Sequence, residues 1–365
     1  MKFRCERDAL AEAISTAQRA VASRGGALPV LSGLRITLSE GNVEFVGSDL
    51  ELTIRVNTPA DVDGTGTVVV PARLLSDIVR AVDSSQVSME FGGDDAKIIA
   101  GRSSFSVRVL TAADFPKLTE VTGSGVRVDS AALAEALRQV VVAASKDEAR
   151  PILTGVLLAA APGGLRLVAT DSYRLAVRDL QGVTVLDEGQ KVLVAAKGLA
   201  EVQRLLTDGE IEVVLSDRDV LFRIGRAEVT TRLIEGEFPN YEQLIPSGYP
   251  NRLTIQREAL AEAVKRVRLV SQGRDRSPIR LSLSEDGLEL SAIAQEIGEA
   301  RESVEAKYEG SELVVAFDSQ FLLDGIDAAA APEIVLETLD PLKPATLRTA
   351  DSPDFLYLLM PVRIS

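Results

Sequence analysis

One short run gathers most of the chain's chemically capable side chains. Thr170-Asp171-Ser172-Tyr173-Arg174 brings hydroxyls, a carboxylate and a guanidinium to the end of an apolar stretch. A hydroxyl nucleophile needs a neighbouring base to take its proton. Histidine, the commonest such base and a common metal ligand, is absent from the chain. There is no glycine-rich phosphate loop and no Gly-x-Ser-x-Gly elbow. The acidic pairs Asp94 with Asp95, Asp217 with Asp219 and Asp61 with Asp63 lie beside turns or strand ends. Aspartate is favoured there because it bonds its own backbone. No catalytic residue, metal site or cofactor site is assigned, and no cofactor is expected. A hydrolase or transferase centred on Asp171 stays open as a competing reading.

The elements that position this run are those of a globular protein. The chain has 365 residues, 46% apolar and 26% charged, with mean hydropathy +0.13. At roughly 100–200 residues per domain this suggests two or three domains. No run approaches the roughly 18 apolar residues of a membrane span. The opening MKFRCERDAL is charged throughout, so no signal peptide is expected. The single cysteine, Cys5, forms no intrachain disulfide and reads as a small core residue, which suits a cytoplasmic location. Tryptophan is absent and only 4% of residues are aromatic. That leaves little for stacking single-stranded bases.

One pattern recurs three times. Leu10, Ala13, Ile14 and Ala17 mark one helical face; so do Leu133, Ala136, Leu137 and Val140, and Leu260, Ala263, Val264 and Val267. Each is followed by alternating strands around a turn: Glu40-Gly41-Asn42, Pro162-Gly163-Gly164 and Asp286-Gly287. A second strand-to-helix step then repeats at Val70, Val194 and Val315. Phe115-Pro116 and Phe238-Pro239 close two of the copies. The spacing predicts an α+β protein of three modules, 1–121, 127–246 and 251–365, each with two helices packed on antiparallel sheets.

The net charge is −14. Taken alone it argues against nucleic acid. Partitioned by predicted element, the six helical regions together carry +2, which leaves −16 for strands and loops. A near-neutral helical layer with basic tips can approach a polyanion, while an acidic outer sheet repels it. The candidate phosphate contacts are Arg24, Arg73, Arg80, Lys146, Arg150, Lys197, Arg204, Lys265, Arg266, Arg268, Arg274 and Arg276. Scattered phosphate contacts position a protein without reading sequence. Asp318 replaces the basic residue found at Arg73 and Lys197, so the last helix is expected to add little to phosphate binding.

The threefold repeat, ATDSYRLAV (169–177), GEFPNYEQLIP (236–246), VPARLLSDIVR (70–80) and the ending LMPVRIS (359–365) resemble the bacterial β sliding clamp family. ALPVLSGL (27–34) and GRSSFSVRVLTAADFPKL (101–118) fit as well, and the resemblance spans the whole chain. It implies a DNA-clamp fold assembled head to tail as a homodimer, a closed ring of six modules. Double-stranded DNA would pass through the ring, which would tether the replicative polymerase for processive synthesis without catalysis.

The same resemblance implies a pocket for short linear motifs of the polymerase, the clamp loader and repair proteins. Its matching positions are Leu153, Thr170, Ser172, Tyr173, Arg174, Leu175, Pro239, Leu244, Leu342, Pro344, Leu359, Met360, Pro361, Val362 and Arg363. Apolar residues there would bury a peptide, with Arg174 and Arg363 orienting its polar groups. Tyr173 stands where some relatives have histidine, and Gln243 where some have arginine. The resemblance further implies a dimer contact between the strands 102–109 and about 296–305. It would use Arg102, Phe105, Val107, Arg108, Leu269, Val270, Glu296, Glu299 and Glu302, with opposite charges favouring the pairing. A three-module scaffold that binds peptides and never encloses DNA is the other alternative.

Overall fold

The structure, a computed structural model, describes residues 1–22, 28–246, 248–271, 278–294, 297–349 and 352–363. Three stretches repeat one element order. The first runs β1 (Lys2–Glu6), α1 (Arg7–Gln18), β2 (Gly33–Ser39), β3 (Asn42–Ser48), β4 (Leu52–Pro59), β5 (Asp61–Asp63), β6 (Gly66–Pro71), α2 (Ala72–Ala81), β7 (Gln86–Gly92), β8 (Asp95–Ala100) and β9 (Ser103–Arg108). The second runs β10 (Val126–Asp129), α3 (Ser130–Val140), β11 (Gly155–Ala161), β12 (Gly164–Thr170), β13 (Arg174–Gln181), β14 (Lys191–Ala195), α4 (Ala196–Leu205), β15 (Glu210–Leu215), β16 (Asp219–Ile224) and β17 (Ala227–Arg232). The third runs β18 (Asn251–Gln256), α5 (Arg257–Val267), β19 (Pro278–Ser284), β20 (Gly287–Ala294), β21 (Gly298–Val304), β22 (Lys307–Glu309), β23 (Leu313–Asp318), α6 (Ser319–Ala328), β24 (Glu333–Thr338), β25 (Ala345–Thr349) and β26 (Phe355–Leu359).

The helical faces legible in the sequence are buried. Leu10, Ala13, Ile14 and Ala17 lie in the core, as do their counterparts in α3 and α5. The hairpin turns carry Gly41, Gly163 and Gly287 at positive φ, a conformation that L-residues with a Cβ rarely adopt. Cys5 is buried on β1, and burial pushes its thiol up to about 11.

The chain forms two compact units that cut across the sequence repeat: Met1–Ala131 with Ala200–Leu233, and Ala132–Leu199 with Ile234–Ser365. The first holds a five-stranded sheet, β5-β1-β7-β8-β9, and an eight-stranded sheet, β10-β15-β16-β17-β4-β3-β2-β6. The second holds a nine-stranded sheet, β14-β11-β12-β13-β26-β25-β24-β18-β22, and a four-stranded sheet, β21-β20-β19-β23. All strand pairs within these sheets are antiparallel.

The two large sheets are fusions of two stretches each. β17 pairs with β4, placing Thr231 opposite Leu52, and β26 pairs with β13, placing Leu359 opposite Arg174. Helix contacts reinforce each fusion. Arg19, just beyond α1, pairs with Glu201 of α4 at 2.6 Å. Arg138 of α3 donates to the carbonyls of Asp327 and Ala328 at the end of α6, and Gln139 donates to Ala328 as well. The same strand order leaves β9 and β21 at sheet edges, each with one partner strand among the described residues.

In the first unit β3 passes close under α1. A Cβ added at Gly47 would lie 2.0 Å from the Ala17 carbonyl oxygen, a backbone atom that cannot swing aside. Overpacking of this kind costs about 1–3 kcal/mol or more. Gly47→Ala is therefore expected to lower the unfolding free energy by that amount, read as a lower urea midpoint at an unchanged m-value; an unshifted midpoint would refute the close approach.

Candidate peptide pocket and nucleic-acid face

The chemically loaded run forms the turn from β12 into β13, and its hydrogen bonds are local. The Asp171 carboxylate accepts from the Tyr173 N–H at 2.9 Å and the Arg174 N–H at 3.0 Å. The Thr170 hydroxyl donates to the Arg174 carbonyl at 2.7 Å and accepts from the Ser172 N–H at 3.2 Å. Ser172 is thereby held at φ 81°, in the left-handed region. These bonds make Asp171 a turn former, so the carboxylate stands as the organiser of a loop rather than as an acid or base.

Arg174 corrects the sequence reading. It is 8% exposed and faces inward, not toward a ligand. Its Nε pairs with Asp171 at 3.0 Å, and its Nη1 pairs with Asp324 of α6 and reaches the Tyr357 hydroxyl at 3.2 Å. The guanidinium also lies over the Phe321 ring, 4.3 Å from its centre. Burial works against its charge, yet Tyr357, Asp324 and Asp171 more than offset that and hold it above its ordinary range. Burial also pushes the Tyr357 phenol upward. The acidic character of α6 thus has an internal use. Asp318 caps the helix by accepting from the Gln320 and Phe321 N–H groups, while Asp324 is the counter-ion of Arg174.

Around this floor the pocket residues divide. Leu175 and Leu359 are each 1% exposed and belong to the core; Leu175 packs with Leu157, Val168, Tyr241 and Leu358. Thr170 is also buried. These three support the site from beneath and correct the expectation that they line it. Tyr173, Leu244, Leu342 and Met360 are exposed apolar residues, and Pro239 and Arg363 are exposed in the same unit. Leu153, Pro344, Pro361 and Val362 are half-buried. Two backbone bonds set the last strand's exit: the Met360 N–H donates to the Tyr173 carbonyl and the Val362 N–H to Ala316, both at 2.8 Å. Tyr173 stacks on Phe321 with ring centres 6.3 Å apart. Phe321, Asp324 and Tyr357 were missed from sequence. Only the unexpected acidity of α6 signalled Asp324, and nothing signalled the two aromatics.

The cationic set also divides. Arg73, Arg80, Lys146 and Lys197 are exposed. Arg150 bonds Asp147 at 2.9 Å, Arg204 bonds Glu201 at 2.9 Å, Lys265 bonds Glu262 at 2.9 Å, and Arg268 bonds Gln320 at 3.0 Å. Arg24, Arg274, Arg276 and, at the expected dimer edge, Glu296 lie outside the described residues. Arg266 and Glu302, assigned to DNA and to the dimer contact, instead bond each other through two contacts of 3.0 and 2.6 Å. Each neutralises the other, because α5 packs against β21 and brings them together.

At the sheet edges, Phe105 on β9 is part-exposed but Val107 is buried, so Val107 belongs to its own sheet's core. Arg102, Arg108 and Glu299 are exposed. Glu299 pairs with Arg301 at 3.2 Å, which weakens the expected charge contrast between the two edges. Leu269 is exposed and Val270 half-buried. Ile293 and Ile297, not anticipated, are exposed on or beside β20 and β21.

Removing one member of a buried ion pair leaves an uncompensated charge and costs about 3–5 kcal/mol. Arg174→Ala is expected to cost that much in chemical denaturation. A loss of less than about 1 kcal/mol, the range of an exposed pair, would show that the Asp171–Arg174–Asp324 cluster does not hold the loop.

The chain matches three consecutive family descriptions: DNA polymerase III beta subunit, N-terminal domain over 1–119, central domain over 127–240 and C-terminal domain over 242–363. It is 35% identical to the beta sliding clamp of Streptomyces coelicolor and 31% identical to that of Staphylococcus aureus; both alignments span the whole of this chain and at least 99% of the relative. The crystal structure of the DNA polymerase sliding clamp from Bacillus subtilis superposes with a TM-score of 0.92 at 28% identity, covering all of both chains. The Pseudomonas aeruginosa clamp bound to griselimycin does so with a TM-score of 0.90 at 31% identity, again covering all of both. The chain belongs to the β sliding clamp family, the β subunits of bacterial DNA polymerase III.

Proposed function

We propose that two copies of this chain close head to tail into a ring of six modules around duplex DNA and hold polymerases there through the pocket at Tyr173 and Met360. As a member of its family the chain is a processivity factor for DNA polymerase rather than an enzyme. One observation carries the ring. In each stretch the last strand pairs with the fourth strand of the stretch before it: β17 with β4, and β26 with β13. The same rule applied to β9 calls for β21, and the chain offers those two strands as unpaired edges. An edge strand exposes a row of backbone donors and acceptors. Heterologous pairing between two copies satisfies both rows and closes a twofold ring. Copying the β17–β4 register sets Phe105 opposite Ala300 and Ser104 opposite Arg301. Phe105, Leu269, Ile293 and Ile297 would supply its apolar surface.

The nucleic-acid reading rests on Arg73, Arg80, Lys146, Arg150, Lys197, Arg204, Lys265 and Arg268. They are scattered cations on or beside helices, suited to phosphates and not to base edges. No described helix is long and apolar enough to cross a membrane. We assign action in the cytoplasm, on chromosomal DNA. The replicative polymerase, the clamp loader and repair proteins are the expected partners, through short linear motifs.

Two measurements test the reading. Ser104→Cys with Arg301→Cys is expected to give a disulfide-linked dimer under oxidation, since Cys5 is buried and leaves no competing surface thiol. Such a ring closed on nicked circular DNA should stay bound until the circle is linearised. Monomer only, or retention indifferent to DNA ends, would refute encirclement. For the pocket, Met360→Ala is expected to weaken binding of a short polymerase-motif peptide at least about tenfold, the effect of losing about 1.4 kcal/mol of buried contact, with the dimer intact. Unchanged affinity would remove Met360 from the site.

A further inference from the structure

The turn 170–174 has a twin in the same chain. Asp49-Leu50-Glu51-Leu52 joins β3 to β4 as Asp171-Ser172-Tyr173-Arg174 joins β12 to β13. The Asp49 carboxylate accepts from the Glu51 N–H at 3.1 Å and the Leu52 N–H at 2.7 Å, and the Ser48 hydroxyl accepts from Leu50 at 3.1 Å. Leu50 has φ 77°, and Leu50 and Ser172 are the two non-glycine residues at positive φ among those described. The neighbouring strand is tied identically, Arg232 N–H to the Glu51 carbonyl at 2.9 Å. The two loops therefore share their carboxylate-to-backbone bonds and the hydroxyl that accepts from the residue at positive φ.

They differ in the residue that precedes the short helical turn of each stretch. The loop 170–174 has a buried anchor, Arg174 with Asp324 and Tyr357, and an exposed one, Arg150. The Arg150 guanidinium donates to the Ser172 hydroxyl at 3.2 Å and to the Asp171 carbonyl at 3.5 Å, while its Nε is held by Asp147 at 2.9 Å. Arg150 immediately precedes the short helical turn Pro151–Thr154. At the same place before Pro29–Ser32, the twin has Leu28, which cannot donate. Arg150 thus supplies the tie at that position of the loop that carries Tyr173. The same guanidinium is a candidate phosphate ligand, and side chain and phosphate would compete for one set of N–H donors.

We propose that Arg150 couples the nucleic-acid face to the peptide pocket: a DNA phosphate that takes the guanidinium from Ser172 and the Asp171 carbonyl releases the exposed side of the loop 170–174. The coupling is negative. It lowers the pocket's preorganisation while DNA is engaged at this point and restores it when the phosphate leaves, and by linkage a bound motif discourages that contact. The buried Arg174–Asp324 anchor limits the change to the exposed half of the loop, which bears Ser172 and Tyr173. The inference rests on the proposed reading of both surfaces.

Amide hydrogen exchange over 170–174 tests it, with a duplex of about 30 base pairs at low salt as probe and its binding followed in parallel. Saturating duplex is expected to speed exchange of this segment about fivefold, the lower end of typical coupling. Arg150→Ala should show the faster exchange without DNA and no further response to it, while Arg80→Ala weakens duplex binding but keeps the slow exchange of the free protein. Duplex binding with unchanged exchange overturns the coupling and leaves the DNA reading standing. Failure of the duplex to bind overturns both. Exchange in free Arg150→Ala equal to that of the unmodified protein overturns Arg150 as the anchor.

Discussion

The structure depends on one constraint: a strand at the edge of a sheet must find a partner for its backbone groups or leave them to solvent. β4, β13, β17 and β26 meet it by pairing across the boundaries of the sequence repeat. The compact units consequently cut across the copies of the repeat. Each fusion is locked on the helical side, by Arg19 with Glu201 in one unit and by Arg138 with the end of α6 in the other. The rule that makes two fusions within a chain leaves β9 and β21 over. That remainder is what the proposed two-chain ring would pair.

The proposed peptide site is set by one fusion. Where β26 joins β13, the exit of the last strand is tied to the carbonyl of Tyr173, so Met360 and Tyr173 emerge together. Their exposure requires a rigid support, which is polar. Arg174, Asp171, Asp324 and Tyr357 form a buried cluster in which each charge has a partner, and Phe321 stacks beneath both Arg174 and Tyr173. A helix that looks poorly suited to DNA by its charge is thereby the helix that holds the pocket floor. Asp318 caps that helix and Asp324 is the counter-ion of Arg174.

Some charges expected to face a partner instead pair within the chain, at its surface. Arg266 was assigned to a helical cationic set and Glu302, through the resemblance, to a dimer edge, yet α5 packing on β21 joins them. Val107, Leu175 and Leu359 sit in patterns that also describe buried strand residues, and they are buried. Alternation gives the period of a strand but not which of its faces another element covers.

The sequence by itself determined the repeat, the helices at their offsets of three and four, the hairpin turns and the family. These are local or near-periodic signals, carried by apolar spacing and by glycine's tolerance of positive φ. It also marked Thr170–Arg174 as unusual, because polar residues crowd the end of an apolar strand. Only the tertiary structure decided what that run does. Asp171 is a turn former, since its acceptors are filled by its own backbone. Arg174 is a buried anchor, since Asp324 and Tyr357 arrive from 150 and 183 residues away. Ion pairing and burial depend on which side chains meet across the fold, and no spacing within one segment encodes that.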